Sequence, residues 1–133
     1  MTAAVDLSVL KSDGTTSIVW SLVSASGGDK SPAVWRSNTA TGTLGQKPNI
    51  SMTAKWNAKG DVRRVDISAV YPSVYTNTTT SQTEVRSQMT FQGSFAVPQN
   101  ITAGDIAEFA AQIPNLLAHV VFKASVAAGY SPT

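Results

Sequence analysis

Few residues of this 133-residue chain combine the types and spacing that chemistry needs. Asp105 and Glu108 stand three apart, which puts both carboxylates on the first turn of a helix and would let them share acid–base work. The positive end of a helix dipole accounts for the same two positions without catalysis. His119 is the only histidine and there is no cysteine, so thiolate and multi-imidazole metal sites lack ligands. The eight acids, Asp6, Asp13, Asp29, Asp61, Asp66, Glu84, Asp105 and Glu108, are scattered rather than grouped. No serine sits in a Gly-x-Ser-x-Gly elbow, and no glycine-rich loop is built to cradle phosphate. The expectation is no enzyme, no metal and no cofactor.

A second constellation is more coherent. Lys55, Arg64 and Arg86 stand among Ser51, Thr53, Asn57, Ser68, Gln88 and Thr90. Hydroxyls and amides between a few cations suit phosphate contacts with hydrogen bonds to exposed bases. A plain solvated sheet face has the same composition, and Asp66, among the cations, repels phosphate. Spacing alone supports either reading. Trp20, Trp35 and Trp56 have rings on which bases stack, but Trp20 and Trp56 share the parity of their apolar neighbours, which favours core packing for both and leaves Trp35 open.

The elements that must position these residues follow from alternation. Ile50, Met52, Ala54 and Trp56 face one way, and Ser51, Thr53, Lys55 and Asn57 the other. Val65, Ile67, Ala69 and Tyr71 oppose Arg64, Asp66 and Ser68 in the same manner. Period two over this length predicts half-buried strands, and Asn57, Gly60 and Asp61 between them predict a hairpin turn. Residues 84–97 repeat the design, with Met89, Phe91, Phe95 and Val97 against Arg86, Gln88, Thr90, Gln92 and Ser94. Ahead of these, residues 4–24 predict an N-terminal hairpin turning at Lys11-Ser12-Asp13-Gly14. Residues 32–38 predict a short strand and residues 39–47 a loop. Residues 72–83 predict a long polar loop of the kind that makes contacts.

Beyond Pro98, Thr102 with Asp105 resembles a capping box. Ile106, Phe109, Ala110, Ile113, Leu116, Leu117 and Val120 follow at helical spacing. Pro114 within that run predicts a kink, with a break near His119, and residues 121–128 predict a second helix ending at Gly129. Six or so antiparallel strands followed by two helices make an α+β fold, in a single domain spanning 1–133. The apolar face of such a sheet is wider than one short helical pair can hide. An obligate dimer, each copy's helices covering the other's sheet, is the expected solution.

Charged residues make up 14% and the formal net charge is +2, which permits an anionic partner without demanding one. No basic-then-apolar leader opens the chain and no apolar run approaches a bilayer span. These features predict a soluble cytoplasmic protein with no membrane partner.

In element order the chain resembles the coat proteins of the levivirus-type single-stranded RNA bacteriophages over nearly its whole length. Val34-Trp35-Arg36-Ser37-Asn38 resembles the family's short tryptophan-bearing strand. Residues 50–72 resemble its central hairpin, with Lys55 at a commonly basic position and Arg63-Arg64 as the basic pair after the turn. Residues 86–95 resemble its last strand, and Leu116-Leu117-Ala118 and Ala128-Gly129-Tyr130 resemble its helices and near-terminal tyrosine. The resemblance implies an intertwined dimer, an icosahedral shell, and a loop (residues 72–83) gathered at symmetry axes. It further implies packaging of a genomic RNA hairpin, repression of replicase translation, and association with a maturation protein. The location it implies is the virion, with assembly in the host cytoplasm.

By position, the resemblance assigns RNA contacts to Ser51, Thr53, Lys55, Asn57, Lys59, Arg64, Asp66, Ser68, Gln88 and Thr90. Gln88 stands where well-understood members carry a base-stacking tyrosine, and Asp66 where a neutral or basic residue is common. A rival expectation from another class is a β-rich adhesion or carbohydrate-binding module, suggested by the Ser/Thr content and the tryptophans.

Overall fold

The alternating segments form one six-stranded sheet in the computed structural model, which describes residues 2–133. The strands are β1 (Leu7–Leu10), β2 (Ser17–Ser24), β3 (Ala33–Arg36), β4 (Asn49–Trp56), β5 (Val62–Thr76) and β6 (Thr83–Pro98), neighbours in sheet order as in sequence. Helices α1 (Ala103–Leu117) and α2 (Val120–Ala128) follow. The chain falls into two compact units, a sheet unit ending at Ala96 and a helical unit beginning at Val97.

Turn chemistry closes each hairpin where the sequence places it. Between β1 and β2, one Asp13 carboxylate oxygen accepts the Thr15 and Thr16 N–H groups, and the other accepts the Thr16 hydroxyl. These donors, the Thr16 hydroxyl foremost, pull the Asp13 carboxyl down to about 2. Gly14 supplies the positive φ of 72° that this turn needs. Between β4 and β5, the Asn57 side-chain oxygen accepts the Asp61 and Val62 N–H groups at 3.0 and 3.3 Å, and its amide donates to Asp61.

The register then sorts the side chains. Ile50 pairs with Ala69, Met52 with Ile67 and Ala54 with Val65, while Ser51 pairs with Ser68, Thr53 with Asp66 and Lys55 with Arg64. Trp35 pairs with Ile50 and Leu22 with Trp35, so one apolar face runs from Leu7, Val9, Ile18 and Trp20 through to β5. Trp35 lies on this face, is buried, and its indole N–H donates to the Val5 carbonyl at 2.8 Å. That settles the tryptophan left open by parity.

The apolar face stays largely exposed in the sheet unit. Ala33 and Trp35 are the buried hydrophobic residues among those described, whereas Met52, Trp56, Tyr71, Met89 and Phe91 are exposed. Trp56, expected in a core, is 39% exposed, and the Arg63 guanidinium lies 5.3 Å from its ring centroid. A sheet needs a second layer to bury its apolar side, and neither helix contains a buried residue.

The expected loop over residues 72–83 is shorter than the sequence implies. β5 continues through Pro72 to Thr76, leaving residues 77–82 as the connection. Proline breaks a ladder by removing an N–H. Here the β4 ladder already ends at the Asn49–Val70 pair, so position 72 forfeits no bond to β4. Within the connection, the Asn77 side-chain oxygen accepts the Thr79 and Thr80 N–H groups, and the Asn77 backbone N–H donates to the Gln82 carbonyl at 2.8 Å. Residues 39–47 also hold a 3-10 turn at Leu44–Gln46, tied to the start of β6 by the Gln46 amide donating to the Thr83 carbonyl at 3.0 Å.

In the helical unit, the Thr102 hydroxyl accepts the Asp105 N–H at 3.2 Å and donates to the Asp105 carboxylate at 2.7 Å. α1 runs without interruption through Pro114. The break falls at Ala118 and His119, where His119 Nδ1 accepts the Val121 N–H at 3.3 Å and caps α2. Gly129 ends α2 in the left-handed region at φ 76°.

Candidate nucleic-acid interface

β4 carries Asn49, Ser51, Thr53 and Lys55 on one face because strand side chains alternate. The β4–β5 register sets Ser68, Asp66 and Arg64 beside the last three. Six of the ten residues expected to meet RNA, Ser51, Thr53, Lys55, Arg64, Asp66 and Ser68, therefore form one contiguous patch. Its hydroxyl end (Ser51, Ser68) carries no charge, and its charged end sits next to the 57–61 turn.

At the charged end, Asp66 holds both cations. Its Oδ2 lies 3.1 Å from Lys55 Nζ and its Oδ1 3.6 Å from Arg64 Nε. Ser94 completes the cluster: its hydroxyl accepts from Arg64 Nη2 at 2.9 Å and donates to Asp66 Oδ1. The Ser94 hydroxyl, then Lys55 and Arg64, lower the Asp66 carboxyl below its ordinary value. All three charged side chains remain substantially solvent-exposed, at 46% for Lys55, 53% for Arg64 and 34% for Asp66. Water screens such ion pairs, so they hold geometry more than they stabilise the fold. Two cations and one carboxylate leave one net positive charge facing solvent, with five side-chain hydroxyl or amide neighbours able to donate and accept.

The remaining expected residues are placed differently. Asn57 is committed to the turn through its own amide. Lys59 is exposed within that turn. Gln88 and Thr90 are exposed on β6, in the stretch between Ser94, which meets Arg64, and Arg86, which lies 5.0 Å from the Tyr75 ring centroid.

Arg86 is a correction. The sequence groups it with Lys55 and Arg64, but the β6 residue beside Arg64 is Ser94. Arg86 instead sits at the far end of the β5–β6 pair, where the Tyr75 hydroxyl donates to Glu84 at 2.8 Å and Asn77 donates to the same carboxylate. The Glu84 carboxylate raises the Tyr75 phenol above its usual value. With 77–82 rather than 72–83 connecting the strands, the pairing slides along β6 and brings Ser94 to this level; even the longer connection sets Arg86 opposite Ala69, short of Arg64. Ser94 shares the parity of Gln88 and Thr90, so alternation alone put it on this face, but only the correct loop length brings it to Asp66.

The acids and the histidine considered for catalysis are each engaged locally. Asp105 bonds Thr102, Glu108 accepts from Gln112 Nε2 at 2.9 Å, and His119 caps α2. Among the described residues no group of three or more acids or histidines could hold a metal ion, and no helix is long and apolar enough to cross a membrane.

No protein-family model and no curated protein sequence matches the chain. Solved structures do. The virus-like particle of bacteriophage NT-214 is 18% identical with a TM-score of 0.80, covering 99% of this chain and 100% of that one. The virus-like particle of Beihai levi-like virus 21 is 16% identical with a TM-score of 0.81, covering 99% and 98%. The capsid protein of bacteriophage GA is 13% identical with a TM-score of 0.72, covering 96% and 95%. The six-stranded antiparallel sheet followed by two helices is thus the fold of levi-like bacteriophage coat proteins, over essentially the full length of both chains.

Proposed function

We propose that the chain is a capsid protein that dimerises, assembles into a closed shell and binds single-stranded RNA on the polar sheet face. The observation that carries this is the two-sidedness of the sheet: an apolar face exposed in the single chain, backed by a face of hydroxyls, amides and cations. The full-length likeness to coat proteins supports the same reading. A second copy supplies what the apolar face lacks. Helices whose apolar residues include Leu116 (50% exposed), Leu117 (47%) and Val120 (71%) need a surface of their own, and exchange between two copies satisfies both needs at once. Sheet and helices of each chain then work as one domain.

On the polar face, Lys55 and Arg64 meet phosphate, while Ser51, Thr53, Ser68, Gln88 and Thr90 bond bases and sugar. Lys59, at the turn tip, adds a flexible cation. Asn57 shapes the turn, and Asp66 orients the two cations. The role is structural rather than catalytic. Translational repression and contact with a maturation protein belong to the same reading as consequences of hairpin binding.

Expression of the chain alone in bacteria, nuclease treatment, size exclusion with ultraviolet absorbance, and negative-stain microscopy test the proposal. Shells containing nuclease-protected RNA are expected. A small species that forms no particle even with added RNA would overturn it, and glycan binding by that species would favour the carbohydrate-binding alternative.

A further inference from the structure

Apart from Lys59 at the exposed turn tip, the cations of the candidate face are compensated or turned away. Lys55 and Arg64 share Asp66, and Arg63 belongs to the opposite face, over Trp56. The ladder brings one more cation to the polar face. Arg36 pairs with Asn49 on one side and Ser21 on the other, so it shares the side of the sheet that carries Ser51, Thr53 and Lys55. It is half-buried, and among the described residues it has no ion pair and no side-chain hydrogen bond. The nearest acid by ladder position is Asp6, next to β1 and so two strands away, about 10 Å at the usual strand spacing. One Asp6 oxygen is already taken by the Leu22 N–H at 2.7 Å. At about 0.1 M salt that separation is a full screening length.

Within the RNA-binding reading, on which this rests, we propose that Arg36 is a phosphate anchor and that the RNA strand lies along β4 between two cationic ends. Asn49, Ser51, Thr53 and Lys55 form a row on one face of β4, roughly 20 Å long at about 3.3 Å per residue. Arg36 flanks the Asn49 end from β3, and Lys55 with Arg64 closes the other end from β4 and β5. The interior of the row is neutral and rich in hydrogen-bonding groups. A single strand laid on it has its phosphates held at both ends and its bases or sugars met by amide and hydroxyl groups between. Arginine, with a planar fork and no local carboxylate to occupy it, suits phosphate better than a compensated lysine.

The test is a salt titration of assembled dimers against a fluorescent oligouridylate of about a dozen nucleotides. One lost phosphate contact lowers the slope of log affinity against log salt by about 0.7 for a single strand. Integrated from 1 M, that is about fivefold in affinity near 0.1 M salt. Arg36→Gln should show both effects, and Arg36→Lys should keep the wild-type slope. Asn49→Asp, which sets a carboxylate directly opposite Arg36, should mimic the loss and serves if Arg36→Gln does not fold. If Arg36→Gln and Asn49→Asp keep wild-type slope and affinity while Lys55→Gln with Arg64→Gln loses both, the anchor is wrong and the RNA face stands. If the wild type binds no RNA at any salt, the RNA face fails and the anchor with it.

Discussion

The two faces of the sheet share every backbone atom yet differ in what they lack. The apolar face, from Leu7 and Trp20 to Ile67 and Tyr71, is largely open in the sheet unit, where large side chains such as Met52 and Met89 remain exposed at 40% and 63%. The polar face, from Ser21 and Arg36 to Ser68 and Ser94, is chemically satisfied at its Lys55–Asp66–Arg64 end and open elsewhere. The first face gains from any dry, shape-matched surface, since burial is proportional to area and indifferent to direction. The second gains only from a partner bearing charge and hydrogen-bonding groups at particular places. One strand register therefore offers two surfaces of different physical kinds, which the proposed function assigns to assembly and to cargo.

The most severe way to break the comparison is to give the apolar face a charge. Met52→Asp should leave the chain folded, because residue 52 is exposed in the single copy, but should abolish dimerisation. An unpaired buried carboxylate costs about 4 kcal/mol, near a thousandfold in association, measurable by sedimentation equilibrium. Trp35→Ala separates burial within a copy from burial between copies. It removes the one large hydrophobic side chain buried among the described residues, with its bond to Val5, and should cost about 3–4 kcal/mol of chain stability in chemical denaturation.

On the other face, Lys55→Ala with Arg64→Ala should cut RNA affinity about 25-fold near 0.1 M salt while leaving the dimer intact, as read by filter binding beside sedimentation. Equal loss of both would remove RNA from this face. Asp66→Asn should act in the opposite direction, raising affinity about fivefold by freeing one unit of positive charge. Because the Asp66 pKa is depressed below 3.8, mild acid should not reproduce that gain. RNA affinity should be flat between about pH 5 and 8 as far as this group is concerned. The stability Asp66 gains from its partners is fully present above the ordinary carboxylate range and is lost as pH falls through the depressed value. The smallest effect is expected away from the sheet: Gly129→Ala forces a Cβ into φ 76° and should cost about 1 kcal/mol, seen as a lower helix melting temperature.

Much of this is legible in the sequence. Alternation in residues 50–56 and 65–71 assigned each side chain to its face, and Asn57-Ala58-Lys59-Gly60-Asp61 fixed the register, because turn chemistry and pairing are local. Thr102, His119 and Gly129 marked the helix ends for the same reason. What alternation could not supply was level. Pro72 looks like the end of a strand, and its tolerance depends on β4 having already run out at Asn49, a fact about a neighbouring strand. Reading it so lengthens the loop and hides Ser94. Arg36 is a different case: alternation does not single it out, and its open position shows only when the ladder places it beside Asn49. Trp56 shares the core parity, yet it stays 39% exposed in the sheet unit.

The central claim is that the two faces of β4 meet different partners, and a paired footprint on assembled material tests it most directly. Met52 and Lys55 lie on the same strand and point to opposite sides. Methionine oxidation and lysine acetylation, each read by mass spectrometry before and after nuclease treatment of opened particles, should separate them. Met52 should be protected by assembly and indifferent to nuclease, and Lys55 should become reactive only once RNA is removed. Met52 as oxidisable in the particle as in the unfolded chain, or Lys55 equally reactive with and without RNA, would contradict the account.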